Sequence, residues 1–200
     1  MLNQFINTYI KLFFILTPFL VLSTFLTWTS EYSPVQRRQL IRQVLSAILV
    51  ISLILFMFGN YIFAVMGITL DAFRIGAGIL LLLSAISLVQ GKQFYDVLSS
   101  TQDIAVVPLA IPVAVGPGTI GVLLVMGSEL VTLQQRLVGG GALLAAIASL
   151  GILLYAGNAL EKKLGRKGLN VMSKLTGLVL SALSVQIIMQ GLQNFHLLDH

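Results

Sequence analysis

From Pro108 to Ile120 the chain reads PLAIPVAVGPGTI, three prolines and two glycines inside a segment otherwise apolar enough to cross a bilayer. Proline lacks the amide hydrogen that an interior helical residue donates, and its ring crowds the preceding turn. Gly116-Pro117-Gly118 is therefore expected to interrupt a helix. Hydrocarbon offers a broken helix no hydrogen-bond partner, so the break is tolerated only where it is buried in protein or lines a watery cavity. That makes it a candidate half of a substrate site.

The surrounding composition sets the class. Of 200 residues, 57% are hydrophobic and 10% charged, with a mean hydropathy of +0.97, whereas a soluble domain carries about a quarter charged residues. The chain reads as a polytopic membrane protein whose first partner is the lipid bilayer. The net charge of +5 resides in short loops between apolar spans, with no basic face, which excludes a nucleic-acid partner. With no cysteine, disulfides and thiolate metal sites are excluded too. His196 and His200 sit in the tail without a ligand-spaced partner, so no metal site is expected. The first apolar run lacks a basic leader and a small-residue cleavage site, and it reads as a retained span.

Apolar runs long enough to cross a core of about 30 Å fall near 5–28, 41–62, 71–91, 104–127, 137–157 and 172–195. The separators Glu31 to Arg38, Gly59 to Gly67, Gly91 to Asp103, Gly127 to Arg136 and Asn158 to Asn170 carry the turn and charge signals. Gly59-Asn60 and Gly157-Asn158 read as helix stops, and Tyr61 to Leu70 as an interfacial or re-entrant turn. The whole chain, 1–200, is one transmembrane domain of six helices. Nine basic residues (Arg37, Arg38, Arg42, Lys92, Lys162, Lys163, Arg166, Lys167 and Lys174) lie in or beside the odd loops, against Lys11, Arg74 and Arg136 elsewhere. By the positive-inside rule the odd loops are cytoplasmic and both termini face outward.

The two halves match. Pro18 answers to Pro117, Gln36 and Arg38 to Gln134 and Arg136, Gly59-Asn60 to Gly157-Asn158, Arg74 to Lys174, Ser84 to Ser184 and Gln90-Gly91 to Gln190-Gly191, always 98 to 100 positions apart. Each half, 1–91 and 104–200, holds three spans. An odd number places the second half upside down, giving a 3+3 inverted-topology repeat, an architecture that puts the binding site near mid-membrane on interrupted helices. Helices 1 and 4 are therefore expected to be discontinuous, at Thr17-Pro18 and at Gly116-Pro117-Gly118-Thr119. Half-helix N-termini there would hold a carboxylate, and the opposite carbonyl ends an ammonium group or a cation. A zwitterionic amino acid fits that pair of poles. The competing reading is a plain proline kink.

The segments GITLDAFRIGAGILL (Gly67 to Leu81), VPLAIPVAVGPGTI (Val107 to Ile120) and GLNVMSKLTGLVL (Gly168 to Leu180) resemble the MarC family of integral membrane proteins, which includes small neutral amino acid transporters of archaea. The resemblance covers essentially the whole chain. It implies six helices, a 3+3 repeat akin to the LysE exporter superfamily, a bacterial inner-membrane location and, from some members, glycine or alanine as substrate. The family usually has Asn before the first proline and a small residue soon after. Here Thr17, Phe19 and Leu20 stand instead, implying a first half-site that is either narrower or built for something else.

Arg74 lies one turn into the third span, three residues after Asp71. Either it faces a cavity and an anionic substrate, or it snorkels to the interface with Thr69 as helix cap. Gly139 to Gly141, Ala142, Ala145, Ala146, Ser149 and Gly151 give the fifth span a small-residue face for close packing. All seven carboxylates lie in loops or at span ends, so proton coupling would have to use Asp71 or Asp103, while Na+ coupling through unwound carbonyls needs no acid. No nucleophile-base pair or phosphate loop appears. The expectation is a non-enzymatic, cofactor-free secondary transporter of a small metabolite, with Thr17, Pro18, Gly116, Pro117, Gly118, Thr119 and Arg74 as substrate-binding residues. A passive channel and a noncatalytic scaffold are the alternatives, and a homo-oligomer is compatible with the sequence.

Overall fold

The structure, a computed structural model, describes residues 2–91 and 114–198. Those residues form seven helices and no strand: α1 (Leu2–Ile15), α2 (Pro18–Trp28), α3 (Pro34–Met66), α4 (Leu70–Gln90), α5 (Pro117–Glu129), α6 (Leu133–Tyr155) and α7 (Gly157–Leu198). Five runs are long and apolar enough to cross a bilayer: Leu2–Trp28, Pro34–Gly59, Leu70–Gln90, Leu133–Tyr155 and Gly157–Asn194. The first part of the fourth expected span, with Asp103, Pro108 and Pro112, lies outside the described residues. Its second part is α5, whose 13 residues rise about 20 Å.

Local chemistry sets the helix ends. Ser33 Oγ accepts the Gln36 amide at 3.3 Å while Gln36 Oε1 accepts the Ser33 amide at 2.9 Å, and Pro34 follows at the first helical position, where its missing N–H costs nothing. Thr132 and Gln135 repeat this capping box at the start of α6. Thr69 caps α4 through the Ala72 amide. Gly67, at φ 64, closes α3 in the left-handed conformation that a Cβ disfavours.

Three sequence expectations are corrected. Gly59-Asn60 does not stop a helix but lies inside α3. Its glycine serves packing: a Cβ there would come within 2.5 Å of the Leu124 carbonyl oxygen. Tyr61 to Met66 continues the same helix, since nothing before Gly67 breaks it. The basic stretch Asn158 to Asn170 is helical rather than a loop, with one bend at Gly165 (φ 67, ψ 170). Charge at the edge of a span is compatible with helix, and only the glycine departs from it.

Helix faces divide by solvent. On α4, Ala77, Leu81, Ala85 and Leu88 are buried while Ile79, Leu80, Leu83 and Ile86 point outward. Both stripes recur every three or four residues, so one faces protein and the other lipid. α4 packs along α7, α1 along α6, α3 against α5 and α6, α5 against α4, and α2 against α7. Missing side chains allow the closest approaches. A Cβ on Gly78 would meet the Ser184 carbonyl and Ile188, and one on Gly177 would meet the Ala85 carbonyl and Leu88. The larger core joins α1, α2, α3, α5, α6 and, through Leu169, α7, and a smaller one gathers Ile15, Leu81, Ala85, Leu88, Val122 and Leu180.

Candidate functional site

The site lies where α1 gives way to α2. The last helical bond of α1 runs from the Leu16 amide to the Leu12 carbonyl at 3.1 Å, and the Thr17 amide then makes a tighter-turn bond to the Phe14 carbonyl at 3.0 Å. Thr17 then adopts φ 45, ψ 54, a left-handed conformation that is uncommon for a β-branched residue. Pro18 restarts the chain as α2, and the Thr17 carbonyl accepts its first bond, from Val21, at 3.0 Å. The turn straddles both cores: Ile15 belongs to the smaller and Leu16 to the larger.

α5 also begins at a proline. Gly116 is extended (φ −76, ψ 174), Pro117 takes the first helical position, and the Gly116 carbonyl accepts the Ile120 amide at 2.9 Å. The two prolines meet through their neighbours. Thr119 Oγ1 donates to the carbonyl of Ile15 at 3.1 Å, in a buried setting. Gly118 lies against the backbone of α4, where an added Cβ would sit 2.8 Å from Leu81 Cα.

Thr17, Pro18, Gly118 and Thr119 are thus buried, with Thr119 joined to the end of α1; Gly116 is half-buried and Pro117 exposed. Arg74 stands apart. It lies seven residues, or about 10 Å, along α4 from Leu81, and its guanidinium is engaged by carboxylates. It is paired with Asp71 and donates to Glu129 Oε1 through Nη2 at 2.7 Å and Nε at 3.2 Å. Asn194 Nδ2 donates to the same Asp71 oxygen at 2.9 Å. This cluster ties α4 to the end of α5 and to α7, and Thr69 caps the helix that carries it.

Three participants were not marked by the sequence. Glu129 carries no motif, although its place at the end of a span opposite an intramembrane arginine was a usable signal. Leu81 reaches the site only because Gly118 admits it. The Ile15 carbonyl is a backbone group, and nothing in residue 15 announces it. Among the described residues no three His, Asp or Glu side chains converge as a metal site would require.

Known proteins resemble the chain along nearly all its length. It is 34% identical over 203 residues to a UPF0056 membrane protein of Methanocaldococcus jannaschii, covering 96% of this chain and 97% of that one. A UPF0056 membrane protein of Aquifex aeolicus is 31% identical, covering 98% and 94%. One from Buchnera aphidicola of Schizaphis graminum is also 31% identical, covering 96% and 97%. No solved structure matches. The model of the family described as MarC family integral membrane protein matches residues 2–196, and with a multi-pass bundle of apolar helices packed on glycine contacts behind that match, the chain belongs to the MarC family of integral membrane proteins.

Proposed function

We propose that the protein is a secondary transporter of a small metabolite, most plainly a small neutral amino acid such as glycine or alanine, in a bacterial inner membrane. Six spans form two inverted halves, 1–91 and 104–200, that rock about the breaks at Pro18 and Pro117. The carrying observation is the Thr119–Ile15 hydrogen bond, which links the start of α5 in one half to the interrupted first helix of the other. Helix starts at Pro18 and Pro117 suit a carboxylate, and the carbonyl end of α1 suits an ammonium group. The tight lining, with Gly118 pressed on Leu81, favours a substrate with little side chain.

Contacts repeated 98 to 100 positions apart support the two-half arrangement. Ser33 with Gln36 answers to Thr132 with Gln135. Gly78 against Ser184 answers to Gly177 against Ala85, Gly91 beside Lys174 to Gly191 beside Arg74, and Gly59 against Leu124 to Gly157 against Leu26. A chance likeness in sequence would not carry its packing partners with it. Helix pairing obeys the same exchange: α2 with α7 mirrors α5 with α4. Arg37 reaches Asn158, so two of the basic loops share one end, taken as cytoplasmic, with both termini outside. Asp71 is already held by Arg74 and Asn194, which favours Na+ coupling or uncoupled exchange over proton transfer.

The test is uptake and counterflow of labelled glycine and alanine in proteoliposomes, with and without Na+ or proton gradients. Saturable counterflow that falls at least about tenfold in Thr119→Val, equivalent to about 1.4 kcal/mol, is the expected result. Flux that never saturates would make the protein a channel, and absence of flux for every small metabolite would make it a scaffold.

A further inference from the structure

Arg37, Arg38 and Arg42 rim a cleft of about 560 Å³ at the basic end of the bundle, between α2, α3, α6 and the start of α7. Its size lies within the range of about 300–1,000 Å³ typical of ligand sites. The cleft is two-sided in character: guanidinium groups at the rim, and Phe25, Ile41 and Leu154 beneath.

The three arginines are not equivalent. Arg37 is half-buried and committed, donating to Thr29 O at 2.9 Å, to Ser30 O at 3.3 Å and to Asn158 Oδ1. It holds the turn before α3 onto the start of α7, and so shapes one wall. Arg38 and Arg42 are exposed and four residues apart on one helix face, a spacing at which like charges repel. Among the described residues the ion pairs are those of Arg74 and Arg166, and neither Arg38 nor Arg42 has an acidic partner. An anion between them would remove the repulsion and use two planar donor forks suited to phosphate oxygens.

Depth identifies the anion's source. Arg42 stands eight residues into α3, about 12 Å along it, and from Val44 to Phe58 the helix carries no charge. Arg42 therefore marks the edge of the hydrocarbon, and Tyr155, 52% exposed, borders the same level as interfacial aromatics do. A ligand here meets positive charge at headgroup height and apolar surface on the hydrocarbon side. At the other end Arg136 answers to Arg38, but Gly140 stands where Arg42 does, so the pair of arginines belongs to one leaflet only.

We propose that this cleft binds the headgroup of an anionic glycerophospholipid, with Arg38 and Arg42 on the phosphate and the glycerol and first acyl carbons over Phe25, Ile41 and Leu154. The proposal stands independently of what the protein transports.

The test uses the full chain in detergent, with bound lipid counted by native mass spectrometry and by titration of phosphatidylglycerol against phosphatidylcholine. Saturable retention of phosphatidylglycerol in preference to phosphatidylcholine is expected. Arg38→Gln with Arg42→Gln should weaken it about 25-fold, from roughly fivefold per interfacial arginine. Arg38→Lys with Arg42→Lys, which keeps the charge and loses the forks, should fall between. Arg166→Gln, an exposed change at the same end but outside the cleft, should leave retention unchanged. Equal retention of the two lipids would overturn the proposal, as would equal loss in Arg166→Gln, or inorganic phosphate and glycerol phosphate competing as well as the intact lipid. Thermal unfolding of each variant checks that the bundle is intact; should the glutamine pair unfold, the lysine pair alone decides, and retention identical to the parent's would refute the assignment.

Discussion

In an unbroken helix the carbonyl of Ile15 would accept the amide of Phe19; with α1 ending there, the hydroxyl of Thr119 takes that place. Thr119→Ser keeps a donor and Thr119→Val does not, so valine should lower stability by about 1–3 kcal/mol, the cost of a buried acceptor left unmet, while serine stays close to the parent. Unfolding in a detergent titration reads the difference. Thr17 presents a second case. Its left-handed backbone carries a cost of about 1–2 kcal/mol, and asparagine occupies that region more readily while keeping a side chain that both donates and accepts. Thr17→Asn should therefore raise stability by about 0.5–1 kcal/mol, visible as a higher Tm. The backbone breaks of the candidate site were legible in the sequence where proline and glycine act, at Pro18 and at Gly116 to Gly118. The Ile15 carbonyl that Thr119 reaches and the Glu129 that Arg74 reaches were not legible, because neither changes local propensity.

At the level of helices, glycine acts in two opposite ways, and residue type alone does not separate them. Gly127 lies under α3, where an added Cβ would come within 2.0 Å of the Phe56 carbonyl oxygen, whereas Gly140 has open space on that side. Gly127→Ala must push two helices apart and should cost at least about 1–3 kcal/mol. Gly140→Ala should gain about 0.5–1 kcal/mol from helix propensity alone. Equilibrium unfolding of the two variants gives the sign of each. The same ambiguity explains why Gly59-Asn60 resembled a stop: a glycine that ends a helix and one that admits a neighbour look alike until the neighbour is known. Five of the six expected spans were legible from length and apolarity, and the fourth lies partly outside the described residues. Ser33-Pro34 with Gln36 was a readable start signal for α3, which the charge of Arg37 and Arg38 obscured.

Over the whole molecule, the Arg74 cluster fastens α4 to the end of α5 and to α7, and with them residues distant in sequence. Arg74 has 12% of its side-chain surface exposed and Glu129 40%, so the pair is worth less than a fully buried one. Arg74→Gln leaves Asp71 with Asn194 alone and should cost about 1–3 kcal/mol. Glu129→Gln, which removes the more exposed partner, should cost under about 1 kcal/mol, and a double-mutant cycle on unfolding free energy measures the coupling. At 42 residues, a straight α7 would stand about 63 Å tall, twice the oily slab it crosses. The elbow at Gly165 splits that length into an upright mast and a short arm, and because Lys162 and Lys163 on the arm must stay wet, the arm works as a collar that limits how far the mast can sink.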